Sequence, residues 1–257
     1  MQSLLQDLIV GHVFAFLLIF MRLGTALMIM PGIGDAFVSP QVRLSFALAM
    51  SFVLAPFLAQ NLPAPPAQGL VMVELLLTEA FIGLFIGTIM RIMIGALDTA
   101  GMVISIQAGY SNALVFNPAT ATQGSLVGAL YSVMGVTLLF VTNLHHYMLA
   151  SIVDSYQIFP ANGHLLDVES VLEVIKRTVT VSFKIGVELA IPFLVVGTLV
   201  QIGFGLLGRL MPQVQIFFLA LPVQILLSLV MLTMVMSAGI LYWLNGFENA
   251  VAGAITP

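Results

Sequence analysis

Residues 70–97 read LVMVELLLTEAFIGLFIGTIMRIMIGAL, and this run decides the class of fold. At about 1.5 Å per residue, a helix of this length crosses a hydrocarbon layer about 30 Å thick. Glu79, Gly83, Gly87, Arg91 and Gly95 recur every four residues, so they form one slowly drifting row on the helix surface. Gly83 and Gly87 make part of that row a small-xxx-small face on which a second helix can pack closely. Glu79 and Arg91 stand about 18 Å apart along the axis and cannot pair within the helix. Both need partners from elsewhere.

Directly after this run comes DTAGMVISIQAGYSNALVFNPATATQGSLVG, residues 98–128. A short helical piece around Thr99–Ala108 is expected to lead into a loop that is neutral, polar and punctuated by glycine. Gln107, Ser111, Asn112, Asn117, Thr120, Thr122, Gln123 and Ser125 supply its polarity, and no Asp, Glu, Lys or Arg occurs between Asp98 and Asp154. Lipid cannot satisfy the N–H and C=O groups of irregular backbone, so such a loop lies in water or is covered by protein. It is expected to line or block something.

The composition places both stretches in an integral membrane protein. Hydrophobic residues make up 60% of the 257 and charged residues 7%, against about 25% charged in soluble domains, and mean hydropathy is +1.14. Loops between the apolar runs are too short to hold a separate soluble domain, so a single all-α, polytopic membrane-type domain is expected, built from long kinked helical hairpins. The net charge of −4 comes from scattered residues and forms no run, which implies no nucleic acid partner. The chain has no cysteine, which excludes disulfides, thiolate catalysis and Cys-ligated metals. Neither a P-loop, an H-E-x-x-H nor a G-x-S-x-G occurs. His145 and His146 are adjacent and would point about 100° apart on a helix, unable to grip one metal together. No enzymatic activity, metal or cofactor is expected.

In chain order, Leu4–Met30 is a first spanning helix with Arg22 inside it. It lacks a basic n-region and a small-residue cleavage site, and so reads as a retained helix rather than a signal peptide. Residues 31–40, PGIGDAFVSP, form a break in which Ser39 and Pro40 cap and start a helix from Gln41 to about Gln60. NLPAPPAQG, residues 61–69, is too rich in proline to be helical. Gly124 to about Tyr156 reads as one long helix. Ile158–Arg177 is the water-facing stretch, its acids ahead of its bases as a helix dipole prefers, with Asp167 as a cap. Val179–Leu210 follows, with a kink expected at Pro192, and then Ile216 to about Tyr242, interrupted by Pro222, before a short amphipathic tail to Pro257. Basic residues do not orient these helices, being buried in them or mixed with acids.

Arg22, Glu79, Arg91, Asp98, Lys184, Glu188 and Arg209 lie in or beside apolar helices, where an unpaired charge costs at least about 2.5–3.5 kcal/mol. They either pair, within or between subunits, or line a path for ions or protons. Lys184 and Glu188, at i and i+4, suit mutual neutralisation.

Several pieces together resemble one family. MPQVQIFFLALP, residues 211–222 with Pro212, Gln213, Phe217 and Pro222, is similar to the signature of the R subunit of the flagellar type III export gate, the FliR family, whose injectisome counterpart is the T export-gate protein. Arg22, Met30-Pro31, Ser39-Pro40 and Arg43 resemble that family's amino-terminal pattern. Ala100-Gly101, Gln107, Gly109 and Phe116-Asn117-Pro118 resemble its central loop, although the family often has an acid where this chain has Asn117.

The resemblance implies a non-enzymatic subunit of a secretion pore in the bacterial inner membrane, within the flagellar basal body. Its partners would be five P and four Q subunits, the B switch subunit and the A export subunit, with unfolded proteins in transit. Residues 1–184 would mimic a P subunit and 185–257 a Q subunit. A plug within 107–123 would carry Gln107, Gly109, Tyr110, Phe116, Asn117 and Pro118. Wrapping by neighbouring subunits would account for the missing orienting charges. The rival reading is a secondary transporter for ions or small molecules, with a midplane site where proline breaks the helices near Glu188, Pro192 and Pro222.

Overall fold

The computed structural model describes residues 2–110, 125–161, 168–211, 213 and 215–255, with side chains for all of these except 2–9, 61, 216, 217, 219, 254 and 255. Among them regular structure is entirely helical: α1 (Gln2–Ile29), α2 (Pro40–Leu58), a 3-10 turn (Ala59–Asn61), α3 (Gly69–Gln107), α4 (Leu126–Val141), α5 (Leu144–Ile158), α6 (Val168–Leu210) and α7 (Ile216–Ile255). Among the described residues, five helices are long and apolar enough to cross a membrane, and the bent pair α4–α5 would make a sixth. The polytopic all-α class is therefore as expected.

Local chemistry sets the ends where the sequence placed them. Ser39 is the N-cap of α2, its hydroxyl accepting from the Val42 N–H at 3.4 Å, and Pro40 occupies the first turn. The connection before it is tied by two arginines. Arg43 donates to the carbonyls of Asp35 and Val38, Asp35 accepts from the Gly32 N–H at 2.8 Å, and Arg91 of α3 pairs with the Asp35 carboxylate.

Four expected boundaries are wrong, each for a local reason. The break between residues 97 and 99 does not exist: α3 is one helix of 39 residues. Thr99 turns its hydroxyl back onto the Gly95 carbonyl, and Asp98 accepts from Ser132 at 2.5 Å, so neither needs the chain to leave the helix. Conversely, the single helix expected over 124–156 is broken between α4 and α5 by a 76° bend. The turn is made by Asn143 at φ 60°, a left-handed conformation that asparagine tolerates better than most residues. The water-facing segment and the apolar helix after it fuse into α6, which starts at Val168 and continues through Pro192, and Asp167 lies outside the described residues. The tail is likewise part of α7, which continues through Pro222.

The chain falls into two compact units that interleave along it. The first takes in residues 1–92, 140–178 and 248–257. Its core joins Phe14, Leu18 and Leu75, and beside them Ile19, Leu58 and Tyr156. Here α1 and α3 meet on the small face foreseen in the sequence: a Cβ added at Gly83 would overlap the Arg22 carbonyl oxygen and Thr25 Oγ1, and one at Gly87 would lie 2.9 Å from the Ala26 carbonyl. The second unit takes in residues 93–139 and 179–247. It is built around Trp243, the sole tryptophan, which is fully buried against Phe247 and donates from Nε1 to the Met93 carbonyl at 2.8 Å. Small residues again permit the approach, since a Cβ at Gly101 would overlap the Gly128 backbone and one at Gly186 would lie 2.9 Å from the Ala96 carbonyl.

The Gly83 contact yields a test. Gly83→Ala forces α1 and α3 apart and should lower the amount of folded chain recovered from membranes and its melting temperature in detergent. Gly95→Ala, on the same row but with nothing within 4 Å of an added Cβ, should be tolerated. Equal behaviour of the two variants in a thermal-shift assay would contradict this packing.

Candidate functional site

Arg22 is fully buried, and its guanidinium nonetheless makes four hydrogen bonds. Nε and Nη2 donate to the two carboxylate oxygens of Glu79 at 2.6 and 2.9 Å, Nη1 donates to Ser155 Oγ at 3.0 Å, and Nη2 also donates to the Phe159 carbonyl at 2.8 Å. The Tyr156 ring lies 3.7 Å from the guanidinium carbon and covers its face. Three helices thus converge on one charge. Glu79 answers Arg22 with the fork-to-fork geometry that arginine allows and lysine does not. Phe159 stands just past α5, so its carbonyl is one of the acceptors a helix end leaves open, and Arg22 fills it. Ser155 accepts from Arg22 while donating to the Ile152 carbonyl.

The other charges named from the sequence stand apart from this cluster. Arg91 is half exposed and pairs with Asp35, a partner the sequence reading did not single out. Asp98 is exposed and bonded to Ser132. Lys184 is exposed and 3.9 Å from Glu188, which also accepts from the Tyr242 hydroxyl at 2.5 Å. Arg209 is exposed in the last turn of α6, where the helix dipole favours a cation. The pairs Arg91–Asp35 and Lys184–Glu188 neutralise their own charges, which suits helix registration better than transport of ions or protons.

The neutral loop is fastened where it leaves α3 and where it enters α4, both in the second unit. Helix α3 ends in a Schellman motif: Gly109 has φ 78°, its N–H donates to the Ile106 carbonyl at 3.2 Å, and the Tyr110 N–H donates to the Ser105 carbonyl at 3.0 Å. Gln107, at the end of the helix, has an open carbonyl, and Gln224 of α7 donates to it from Nε2. Gln107 Oε1 lies 3.5 Å from Gln201 Nε2, and a Cβ added at Gly197 would lie 2.8 Å from that oxygen. Ser228 lies 3.4 Å from the Tyr110 hydroxyl. At the other end Ser125 caps α4, accepting from the Gly128 N–H at 2.9 Å while donating to the Gly101 carbonyl at 2.7 Å, and the Ser105 hydroxyl lies 2.7 Å from Ser125 Oγ.

Of the expected plug residues, Gln107, Gly109 and Tyr110 are therefore seen in a built setting, and Phe116, Asn117 and Pro118 lie outside the described residues. In the signature turn, Gln213 is exposed between α6 and α7, and Pro222 is exposed within α7. Phe217 is helical, its side chain lying outside the described set, as does Pro212 altogether. Sequence reasoning missed Ser155, Tyr156, Gln201, Gln224 and Ser228. It weighed charges in apolar helices and passed over neutral polar side chains, which in such surroundings need partners just as much.

Residues 13–250 match the family described as bacterial export proteins, family 1. The chain is 38% identical over 239 residues to a flagellar biosynthetic protein FliR of Caulobacter vibrioides, covering 93% of this chain and 94% of that one. The chain belongs to the FliR family. A second FliR, from Bacillus subtilis, is 31% identical over 87% of this chain and 86% of its own, and one from Escherichia coli is 25% identical over 80% and 78%. With its spanning helices, this FliR-family chain is a membrane component of the flagellar export apparatus.

Breaking the buried cluster from one side strands a charge. Arg22→Met or Glu79→Gln alone should destabilise the folded chain by about 3–5 kcal/mol, whereas Arg22→Met with Glu79→Met should recover most of that loss. Denaturant titration in detergent micelles measures it; a double variant as unstable as the worse single one would show that the pair's polar contacts are not the governing interaction.

Proposed function

We propose that this chain is a non-enzymatic core subunit of the flagellar export gate, forming an inner-membrane secretion pore with P and Q subunits and closing it with the segment 107–123. Residues 1–184 act as the P-like part and 185–257 as the Q-like part of one helical assembly, in contact with five P and four Q subunits and with the A and B components of the apparatus. Family membership supports the apparatus. The observation that carries the closing role is the neutral loop itself, anchored at Gln107–Tyr110 and at Ser125 by hydrogen bonds that involve no charge. A neutral polar loop can be packed inside a pore without stranding an ion in a low-dielectric setting.

The apolar outer faces fit a subunit that is covered in its assembly. Only 17% of the apolar window of α2 and of α7 is buried within the chain, against 50% for α1, and Phe52, Phe57, Leu199 and Leu226 all point outward. The exposed Lys184–Glu188–Tyr242 group lies within these apolar helices, where a neighbouring subunit would be a better surrounding than lipid. Proteins in transit would draw on an external energy source, since the chain has no nucleotide-binding loop.

Co-expression with P and Q subunits followed by blue native electrophoresis should give one discrete large complex containing this chain, and Asn117→Asp in that complex should raise ion leak across the membrane. A chain that is stable and monomeric alone and moves a small solute in liposomes would overturn the export-gate reading in favour of a transporter.

A further inference from the structure

The turn between α1 and α2 gathers two cations around one acid, all within the first unit. Arg43 donates from Nε to the Val38 carbonyl at 3.1 Å and from Nη2 to the carbonyls of Asp35 and Val38 at 2.7 and 2.8 Å. Arg91 of α3 pairs through Nη1 with the Asp35 carboxylate, which also accepts from the Gly32 N–H at 2.8 Å. Among the described residues, Nη1 of Arg43 and both Nε and Nη2 of the half-exposed Arg91 have no acceptor. Two positive charges against one negative leave a surplus cation with donors to spare. The same turn exposes apolar surface: Phe37 is 73% exposed, and Val42, next to Arg43 in the chain, is exposed as well.

The level of this turn along the helices decides what the surplus charge meets. From Gly69 to Arg91, α3 rises about 33 Å, and α2 from end to end rises about 28 Å. Both lengths match a hydrocarbon layer about 30 Å thick. Between those levels the outer faces carry little charge. Helix α2 has none after Arg43, and in α3 the sole charge between Glu74 and Arg91 is Glu79, which is buried on Arg22 about halfway through the layer. Arg43 and Arg91 therefore stand at the edge of an apolar slab, at the depth of phospholipid headgroups.

We propose that Arg43 and Arg91, with Phe37, form a seat for the phosphate of an anionic glycerophospholipid. The spare guanidinium donors hold the phosphate oxygens, which arginine does well because its N–H groups are fixed in a fork. Phe37 and the exposed face of α2 lie against the acyl chains. A phospholipid brings both chemistries at once, an anion for the surplus charge and apolar chains for the face below it, whereas a soluble anion supplies only the first. The inference needs only the membrane placement of the chain and is independent of the closing role. A lipid seated here shares the outer face of α2 with any neighbouring subunit.

The test uses the full chain, with any subunits that co-purify, in mixed micelles of detergent and phospholipid. Phe37→Trp supplies a reporter, since the native Trp243 is fully buried in the second unit and its emission is subtracted with the unsubstituted protein. Phosphatidylglycerol carrying a doxyl label near its headgroup should quench the new indole at a mole fraction on the order of fivefold lower than labelled phosphatidylcholine, the preference that one surplus cation gives at a membrane surface. Raised salt should weaken that preference. Arg91→Gln and Asp35→Asn break the same ion pair but change the local charge in opposite directions. Arg91→Gln should abolish the preference, and Asp35→Asn should strengthen it on the order of fivefold further, whereas damage to the fold would move both the same way. Equal quenching by the two lipids, a common direction for the two variants, or displacement of the labelled lipid by millimolar inorganic phosphate overturns the proposal. If Arg91→Gln is not recovered folded, Asp35→Asn decides alone: a stronger preference upholds the seat, and an unchanged or weaker one overturns it.

Discussion

A guanidinium that never touches water organises the first unit. Transferring Arg22 into an apolar core would be prohibitive if it were alone, and every donor it uses is answered within 3.0 Å by α3, α5 or the residue that follows α5. That requirement fixes more than a pair. Glu79 can reach only if α1 and α3 are close, which the glycine face at Gly83 and Gly87 allows. Ser155 and the Phe159 carbonyl reach Arg22 from the last turn of α5 and the residue that follows. The cluster, the glycine face and the end of α5 are thus three parts of one geometric solution.

The second unit solves the same problem without charge. Trp243 fills its centre and satisfies its lone donor on the Met93 carbonyl, while glycines at 101, 128 and 186 bring backbones within contact. The ends of α3 and α4 are completed by Gln224 and Ser125. In both units the limiting quantity is unsatisfied polar groups in surroundings with little water, and apolar area is abundant. Hydrophobic packing therefore makes these helices interchangeable, and the few polar contacts make them particular.

This division also explains the exposed surface. Apolar residues are spread over the outside of α2, α6 and α7 because neither lipid nor an apolar neighbour imposes a polar face. The water-facing start of α6, with Glu169, Glu173, Lys176 and Arg177, is the exception, and there the helix follows the ordinary rule of acids before bases.

The sequence alone determined the membrane class, the positions of the long helices, the cap at Ser39–Pro40, the proline-rich linker and the tight glycine face, because each depends on composition, length or spacing along one helix. Family resemblance was legible too, from the ordered motifs at Arg22, Gln107–Pro118 and Met211–Pro222. It did not determine where helices continue or stop at residues 98, 143, 177 and 243, nor that Arg22 belongs to Glu79 and Gln107 to Gln224. Those outcomes depend on which polar group lies across from which. A threonine such as Thr99 stays in a helix if it can bond its own turn, and an arginine can be buried if α3 and the end of α5 both bring it acceptors. Such partners are separated by 57 to 137 residues around Arg22, and only the folded chain brings them within hydrogen-bonding distance.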